Sequence, residues 1–90
     1  RDWLNPQNMV VKPLRQDLLK YLQKHNLTKK YKKQVQLFEG DPQYPSLNTE
    51  LLEPKYLRIY SFRIDPKYRA IFIITGQNEV EVIDINLHYQ

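Results

Sequence analysis

Residues 60–74, YSFRIDPKYRAIFII, constrain the fold of this chain more than any other stretch. Two segments flank an Asp-Pro-Lys turn, and in each segment the side chains divide into an apolar set and a second set at alternate positions. Because successive side chains of a strand point to opposite faces, the pattern predicts a β-hairpin. One face of its first strand, carrying Tyr60, Phe62 and Ile64, is expected to pack against a hydrophobic core.

Two arginines occupy the other face of this predicted hairpin. If Ile64 pairs with Tyr68 across the turn, Arg63 lies directly opposite Arg69. Like charges directly opposite each other destabilise a sheet, so the pair has little structural purpose. A bound phosphate would give the pair a function, because guanidinium groups bind phosphate oxygens through a fixed fork of donors. The alternative is that the two arginines only keep an exposed face soluble.

A third strand is predicted from Glu79 to Leu87, after a two-residue turn. This register adds Ile83, Ile85 and Leu87 to a core face that also carries Tyr68, Ala70, Phe72 and Ile74. The second face is then expected to be polar at one end and apolar at the other. The polar end comprises Arg63, Arg69, Asp84, Asn86 and His88, and the apolar end Ile71, Ile73 and Val82.

The first half of the chain shows helical spacing. Apolar residues predict one helix from Leu14 and a second from Thr28 to Gly40, forming an antiparallel pair. Residues 9–11 can form an edge strand. The order predicts an α+β fold with two N-terminal helices on one face of a small antiparallel sheet. Residues 1–8 are polar and aperiodic, so we expect a flexible extension before a single domain over residues 9–90.

Composition excludes several classes of protein. Ninety residues without cysteine, and with two widely separated histidines, predict one domain without a disulfide, metal or cofactor. No apolar run approaches the roughly 18 residues of a membrane span, so a cytoplasmic protein is expected. Two glycines cannot form a phosphate-binding loop. The net charge of +4, with lysines crowding the first half, suits RNA, an acidic partner or a solvated helix.

The polar end of the second face could cleave RNA without a metal. A base would remove the ribose 2′-hydroxyl proton, cations would stabilise charge at phosphorus, and an acid would protonate the leaving oxygen. Arg63 and Arg69 could supply the cations and His88 the proton transfer. Asp84 could orient His88 or form a plain salt bridge with Arg69. Asn86 is a polar candidate beside them, and Tyr89 could stack on a base.

Four segments resemble the RelE/ParE superfamily of bacterial type II toxins, especially its RelE-like branch. They are DPQYPSL at 41–47, YSFRI at 60–64, YRAIF at 68–72 and VIDINLH at 82–88, and the resemblance covers most of the chain. It implies two helices packed on an antiparallel sheet. It also implies a ribosome-dependent mRNA interferase that cuts codons in the A site without a metal and is silenced by a cognate antitoxin.

The resemblance also implies roles for particular residues. Arg69 matches the arginine of the family's Tyr-Arg motif, Arg63 takes the place of a basic residue one strand away, and His88 falls where members have an arginine or a catalytic histidine. Lys29, Lys32 and Lys33 would touch ribosomal RNA. The chain departs from the pattern at its end, where Tyr89 could replace a later aromatic residue and Asn86-Leu87 replaces a glycine.

The leading hypothesis is therefore a type II toxin that cleaves mRNA, with an antitoxin, mRNA and the ribosome as partners. A non-catalytic gyrase poison of the ParE type and an inactive toxin fold kept for binding are the alternatives. The antitoxin is expected to cover the polar sheet face, or the helices and the apolar end of that face around Ile71, Ile73 and Val82.

Overall fold

The computed structural model describes residues 8–87, in the following elements. They are β1 (Val10–Val11), α1 (Gln16–Lys24), α2 (Thr28–Gly40), β2 (Glu50–Leu51), β3 (Tyr60–Arg63), β4 (Tyr68–Gly76) and β5 (Glu79–Leu87), with short 3-10 turns at Pro45–Leu47 and Lys55–Leu57. The five strands form one sheet in the order β1-β5-β4-β3-β2. Within the described residues, no helix is long and apolar enough to cross a membrane.

The sheet is antiparallel from β2 to β5, as predicted for the hairpin strands. The predicted edge strand is also present, and it runs parallel to β5, with Val10 opposite Glu79 and Val11 opposite Val80. The sheet is therefore mixed. The α+β prediction is confirmed, with this parallel edge as a correction to the purely antiparallel sheet.

The two helices form the predicted pair on one face of the sheet. α1 begins two residues later than Leu14, because the backbone of Arg15 is still extended. Asn26, in the left-handed conformation (φ 58°), turns the chain between the helices, a conformation that asparagine tolerates better than most residues. The predicted extension at residues 1–8 lies outside the described residues except for Asn8, and Met9 is already buried.

Aromatic rings fill the core between α2 and the central strands. The ring centroid of Phe38 lies 5.2 Å from that of Phe62 and 5.1 Å from that of Phe72. Tyr60 stacks on Phe72 at 5.4 Å. Tyr60, Phe62 and Ile64 are all buried, so the predicted core face of β3 is confirmed.

The predicted register of β5 holds at both ends of the strand but not in its middle. Gly76 lies opposite Glu79 and Ala70 opposite Ile85, as a two-residue turn requires. Two bulges between these points shift the register by one residue, so that Phe72 lies opposite Val82. Val82 is 2% exposed and belongs to the core. Its assignment to the second face was wrong, as was that of Ile83 to the core.

This difference arises because a bulge adds a residue without a partner. Ile83 is the extra residue and is only half-buried. Alternation along β5 cannot reveal it, since Val80, Val82 and Ile83 are all suitable core residues. The apolar end of the second face is thereby reduced to Ile71 and Ile73, both half-buried.

A buried glutamine ties the helical layer to the hairpin. Gln34 of α2 is 7% exposed, and its Nε2 donates to the backbone oxygen of Arg63 at 2.7 Å. The same atom lies 3.4 Å from the backbone oxygen of Ser46. One side chain therefore joins α2, the connector before β2 and the end of β3. The apolar spacing of α2 does not reveal this role.

Replacing Gln34 by alanine should lower the free energy of unfolding by about 1–3 kcal/mol, because two backbone oxygens lose their donor. Gln36→Ala on the exposed side of the same helix is the matched control and should change it by less than about 0.5 kcal/mol. Urea unfolding of both variants checks this. Equal midpoints for the two would refute the linking role of Gln34.

The hydroxyl of Tyr31 is buried without a hydrogen-bond partner. Burial raises the pKa of this phenol well above its usual value, and the Glu39 carboxylate raises it further. The folded state therefore holds the phenol proton more tightly than the unfolded state does. The stability that this contributes is fully present below about pH 10, the pKa of an unfolded tyrosine, and is lost as the pH rises above it.

The stability of Tyr31→Phe relative to that of the wild type should therefore rise as the pH rises above about 10. Guanidinium unfolding of both proteins between pH 8 and pH 11.5 measures the difference, which should be constant below about pH 10 and grow above it. Tyr56→Phe, which removes an exposed hydroxyl, should follow the wild type throughout. A difference between Tyr31→Phe and the wild type that does not vary with pH would contradict the assignment.

Candidate anion-binding site

Three side chains form a row across the sheet on the face away from the helices. Arg63 lies opposite Arg69 in the β3–β4 register, and Arg69 lies opposite Asn86 in the β4–β5 register. The predicted juxtaposition of the two arginines is confirmed. The neighbouring row contains Glu50, Ser61, Ile71 and Asp84.

Arg69 is almost completely buried, which its sequence position does not indicate. It is 5% exposed, its Nε donates to Ser61 Oγ at 2.9 Å, and its Nη2 donates to the backbone oxygen of Asn48 at 2.6 Å. Asn48 adopts the left-handed conformation (φ 46°, ψ 50°) at the end of a 3-10 turn. Two of the three guanidinium nitrogens are therefore held in place by the protein.

The third nitrogen of this guanidinium, Nη1, is buried and has no hydrogen-bond partner. Burial lowers the pKa of Arg69 from its usual value, the Glu50 carboxylate opposes this, and the charge of Arg63 lowers the pKa further. Within residues 8–87, neither arginine forms an ion pair with a carboxylate. A charged group in such a position is stabilised by an anion.

Asp84 does not neutralise the arginines. Its Oδ1 accepts the backbone N–H of Ile85 at 2.9 Å. With the amide of Asn86 oriented so that its nitrogen faces Asp84, that nitrogen lies 3.0 Å from Asp84 Oδ2. Asp84 is therefore held by its own strand, and no salt bridge joins it to Arg69 among the described residues.

Glu50 is a site residue that the sequence patterns did not single out. It is exposed on β2, opposite Ser61, so its side chain shares the face of the arginine row. Its negative charge raises the pKa of Arg69, against the effect of burial. β2 has only two residues and follows a long connector, so no local periodicity marks Glu50 as part of the sheet.

The predicted lysines lie elsewhere. Lys29, Lys32 and Lys33 are exposed on α2, in the layer on the opposite side of the sheet from the arginine row. The fold therefore does not bring them to the arginines. Lys30 instead pairs with Asp65 at 3.4 Å, and Asp65 Oδ1 accepts the backbone N–H groups of Lys67 and Tyr68, which orders the hairpin turn.

Two other predicted residues, His88 and Tyr89, lie outside the described residues. β5 ends at Leu87, one position beyond the Asn86 that completes the row. Among residues 8–87, no three histidine, aspartate or glutamate side chains are grouped so that they could hold a metal ion.

Inorganic phosphate should stabilise the folded protein through this row. We expect a gain of about 1.4 kcal/mol when phosphate exceeds its Kd tenfold, compared with chloride at equal ionic strength. Arg63→Gln should remove most of the gain, and Lys55→Gln, exposed in the 3-10 turn at Lys55–Leu57, should keep it. Thermal unfolding monitored by circular dichroism measures it. Equal stabilisation of the two variants would show that phosphate binds elsewhere.

The chain is similar to several solved bacterial toxins. A YoeB/ParE toxin from Agrobacterium tumefaciens is 20% identical, with a TM-score of 0.66 over 92% of this chain and 100% of that one. A YoeB-YefM toxin-antitoxin complex from Staphylococcus aureus is 20% identical, with a TM-score of 0.61 over 94% and 100%. A copper-bound mutant toxin from Helicobacter pylori is 15% identical, with a TM-score of 0.63 over 91% and 94%.

No protein-family model and no curated protein matches the sequence. The structural likeness covers nearly the whole chain and nearly the whole of each toxin. The chain therefore has the RelE/ParE toxin fold, in agreement with the resemblance of its four sequence segments.

Proposed function

We propose that this protein is the toxin of a type II toxin-antitoxin system, an endoribonuclease that cleaves mRNA at the ribosome without a metal. The toxin fold supports the first part of this proposal. The observation that carries the second is the buried guanidinium of Arg69, which has one unpartnered nitrogen and lies beside Arg63. An RNA phosphate is an anion whose oxygens such a pair of guanidinium groups would bind.

The arginine pair would act on the phosphate as it gains charge. During attack by the 2′-oxygen, negative charge grows on the non-bridging phosphate oxygens, and a cation already in place stabilises it most. Ser61 and Asn48 hold the guanidinium of Arg69 in a fixed orientation before any substrate arrives. Arg63 is half-buried and would complete the contact from the adjacent strand.

Proton transfer needs a base and an acid on the two sides of that phosphate. The base takes the proton of the 2′-hydroxyl as the 2′,3′-cyclic phosphate forms, and the acid gives a proton to the departing 5′-oxygen. We assign these roles to Glu50 and His88. Glu50 shares the face of the arginines, and the assignment of His88 rests on its sequence position alone.

The remaining predicted contacts divide between two surfaces. Asn86 and Tyr89 would contact nucleotides beside the scissile phosphate. Lys29, Lys32 and Lys33, on the other side of the sheet, would contact ribosomal RNA through its phosphates. Such a toxin would work in the cytoplasm and would be silenced by an antitoxin, as one of its structural neighbours is solved in complex with YefM.

The test is mapping of mRNA 5′ ends in a reconstituted translation reaction. We expect cuts inside codons at the ribosomal A site. Arg63→Gln should slow cleavage by about 30- to 150-fold, the loss of one charge-assisted contact worth roughly 2–3 kcal/mol. Lys55→Gln should cleave as the wild type does. Glu50→Gln and His88→Gln should lower the rate of cleavage while leaving phosphate binding intact.

Arg69 needs a different variant, because it also anchors Asn48 and Ser61. Arg69→Lys keeps the charge and loses the fork of donors, and its unfolding must be measured alongside its activity. A stable Arg63→Gln or Arg69→Lys variant with full cleavage would refute the site. An intact message with wild-type protein would refute the interferase and favour a non-catalytic toxin, such as a gyrase poison.

A further inference from the structure

Three aromatic rings form a cluster where the turn between α1 and α2 meets the start of β4. The ring centroid of His25 lies 4.3 Å from that of Tyr21 and 5.6 Å from that of Tyr68. The two tyrosine centroids are 6.2 Å apart, with the ring planes at 75°. His25 is exposed and both tyrosines are half-buried, so part of each ring is accessible to a ligand.

Hydrogen bonds fix the arrangement of the cluster in the free protein. The backbone N–H of His25 donates to the backbone oxygen of Tyr21 at 3.1 Å, and that of Tyr68 donates to Asp65 Oδ1 at 2.9 Å. The Tyr68 hydroxyl lies 3.3 Å from His25 Nδ1. The helical layer and the hairpin therefore present these rings as one surface.

Each ring of the cluster directly follows a lysine in the sequence. The pairs are Lys20-Tyr21, Lys24-His25 and Lys67-Tyr68. All three lysines are exposed, and within residues 8–87 none of them forms a salt bridge, since Asp65 of the same hairpin turn pairs with Lys30 instead. Unpaired cations around accessible rings favour a polyanion that also carries flat groups. A single-stranded nucleic acid combines the two, because its phosphates bind cations and its bases stack on aromatic side chains.

We propose that this cluster is a second RNA-binding site, at which a base of a single strand stacks on His25 and Tyr68 while the lysines bind the flanking phosphates. It lies outside the cleavage site, because Tyr68 directly precedes Arg69 and successive side chains of β4 point to opposite faces of the sheet. The base belongs to a nucleotide other than those at the scissile phosphate. The inference extends the proposed function by taking RNA as the ligand, but it requires no cleavage.

Fluorescence anisotropy of a labelled oligoadenylate tests this, in an Arg63→Gln background that weakens binding at the arginine row. An abasic strand of the same length keeps the phosphates and should bind at least about fivefold more weakly, the lower limit for stacking of one base on an aromatic ring. His25→Ala, a change at an exposed position, should weaken oligoadenylate binding by a similar factor, and His25→Phe should restore it. Tyr56→Leu alters an exposed tyrosine that also follows a lysine, and it should change the affinity by less than twofold.

The salt dependence of binding separates the contribution of the rings from that of the lysines. Lys24→Gln removes a phosphate contact, so the plot of log affinity against log salt concentration should become less steep by about 0.7. His25→Ala should lower the affinity at every salt concentration and leave this slope unchanged. A reduced slope for His25→Ala would show a charge contact in place of stacking and would overturn the proposal.

Other outcomes would also overturn the stacking site. They are equal affinity for oligoadenylate and the abasic strand, equal affinity of His25→Ala and its parent, or displacement of the RNA by a polyglutamate peptide as readily as by unlabelled RNA. Absence of RNA binding in the Arg63→Gln background would refute it as well. An intact message in the translation reaction, together with RNA binding that depends on His25, would refute the ribonuclease alone, so the two failures can be distinguished.

Discussion

The register between β3 and β4 is the constraint on which the site depends. A shift by one residue would turn Tyr60 and Phe62 out of the core, where their rings stack against Phe72 and Phe38. Core packing therefore fixes the pairing that places Arg63 opposite Arg69. The burial of large aromatic rings on the opposite face of the same strands offsets the repulsion between the two arginines.

Two polar side chains, one on each face of the sheet, then fix the position of the segment before β2. Gln34 reaches through the helical face to the backbone of Arg63, and Arg69 reaches from the other face to the backbone of Asn48. Gln34 also lies within hydrogen-bond distance of the backbone oxygen of Ser46. Both side chains therefore contact the segment between α2 and β2. A segment with little regular structure is thus held from two sides, and it in turn covers the buried guanidinium.

Alternation in residues 60–74 was sufficient to predict the hairpin, its core face as far as Phe72 and the opposed arginines, because these follow from local geometry; Ile74, also predicted on the core face, is 40% exposed. The burial of Arg69 was not predictable, since it depends on a connector whose path no local pattern specifies. Glu50 was missed as a site residue for the same reason. Val82 was misplaced because a bulge leaves no mark in a run of apolar residues, and Gln34 was missed because a buried polar side chain interrupts no apolar stripe.

The bulge at Ile83 interrupts the alternation of side chains along β5, so the residues before it and those after it alternate between the two faces independently. Val80 and Val82 keep their core positions on one side of it, while Asp84 and Asn86 keep theirs on the other face beyond it. Loss of Ile83 would leave each of these residues opposite its present partner and on its present face. It would remove local twist and the backbone oxygen that accepts from Arg15 Nη1. This position of β5 can therefore absorb a change in chain length that elsewhere would exchange the two faces of the strand.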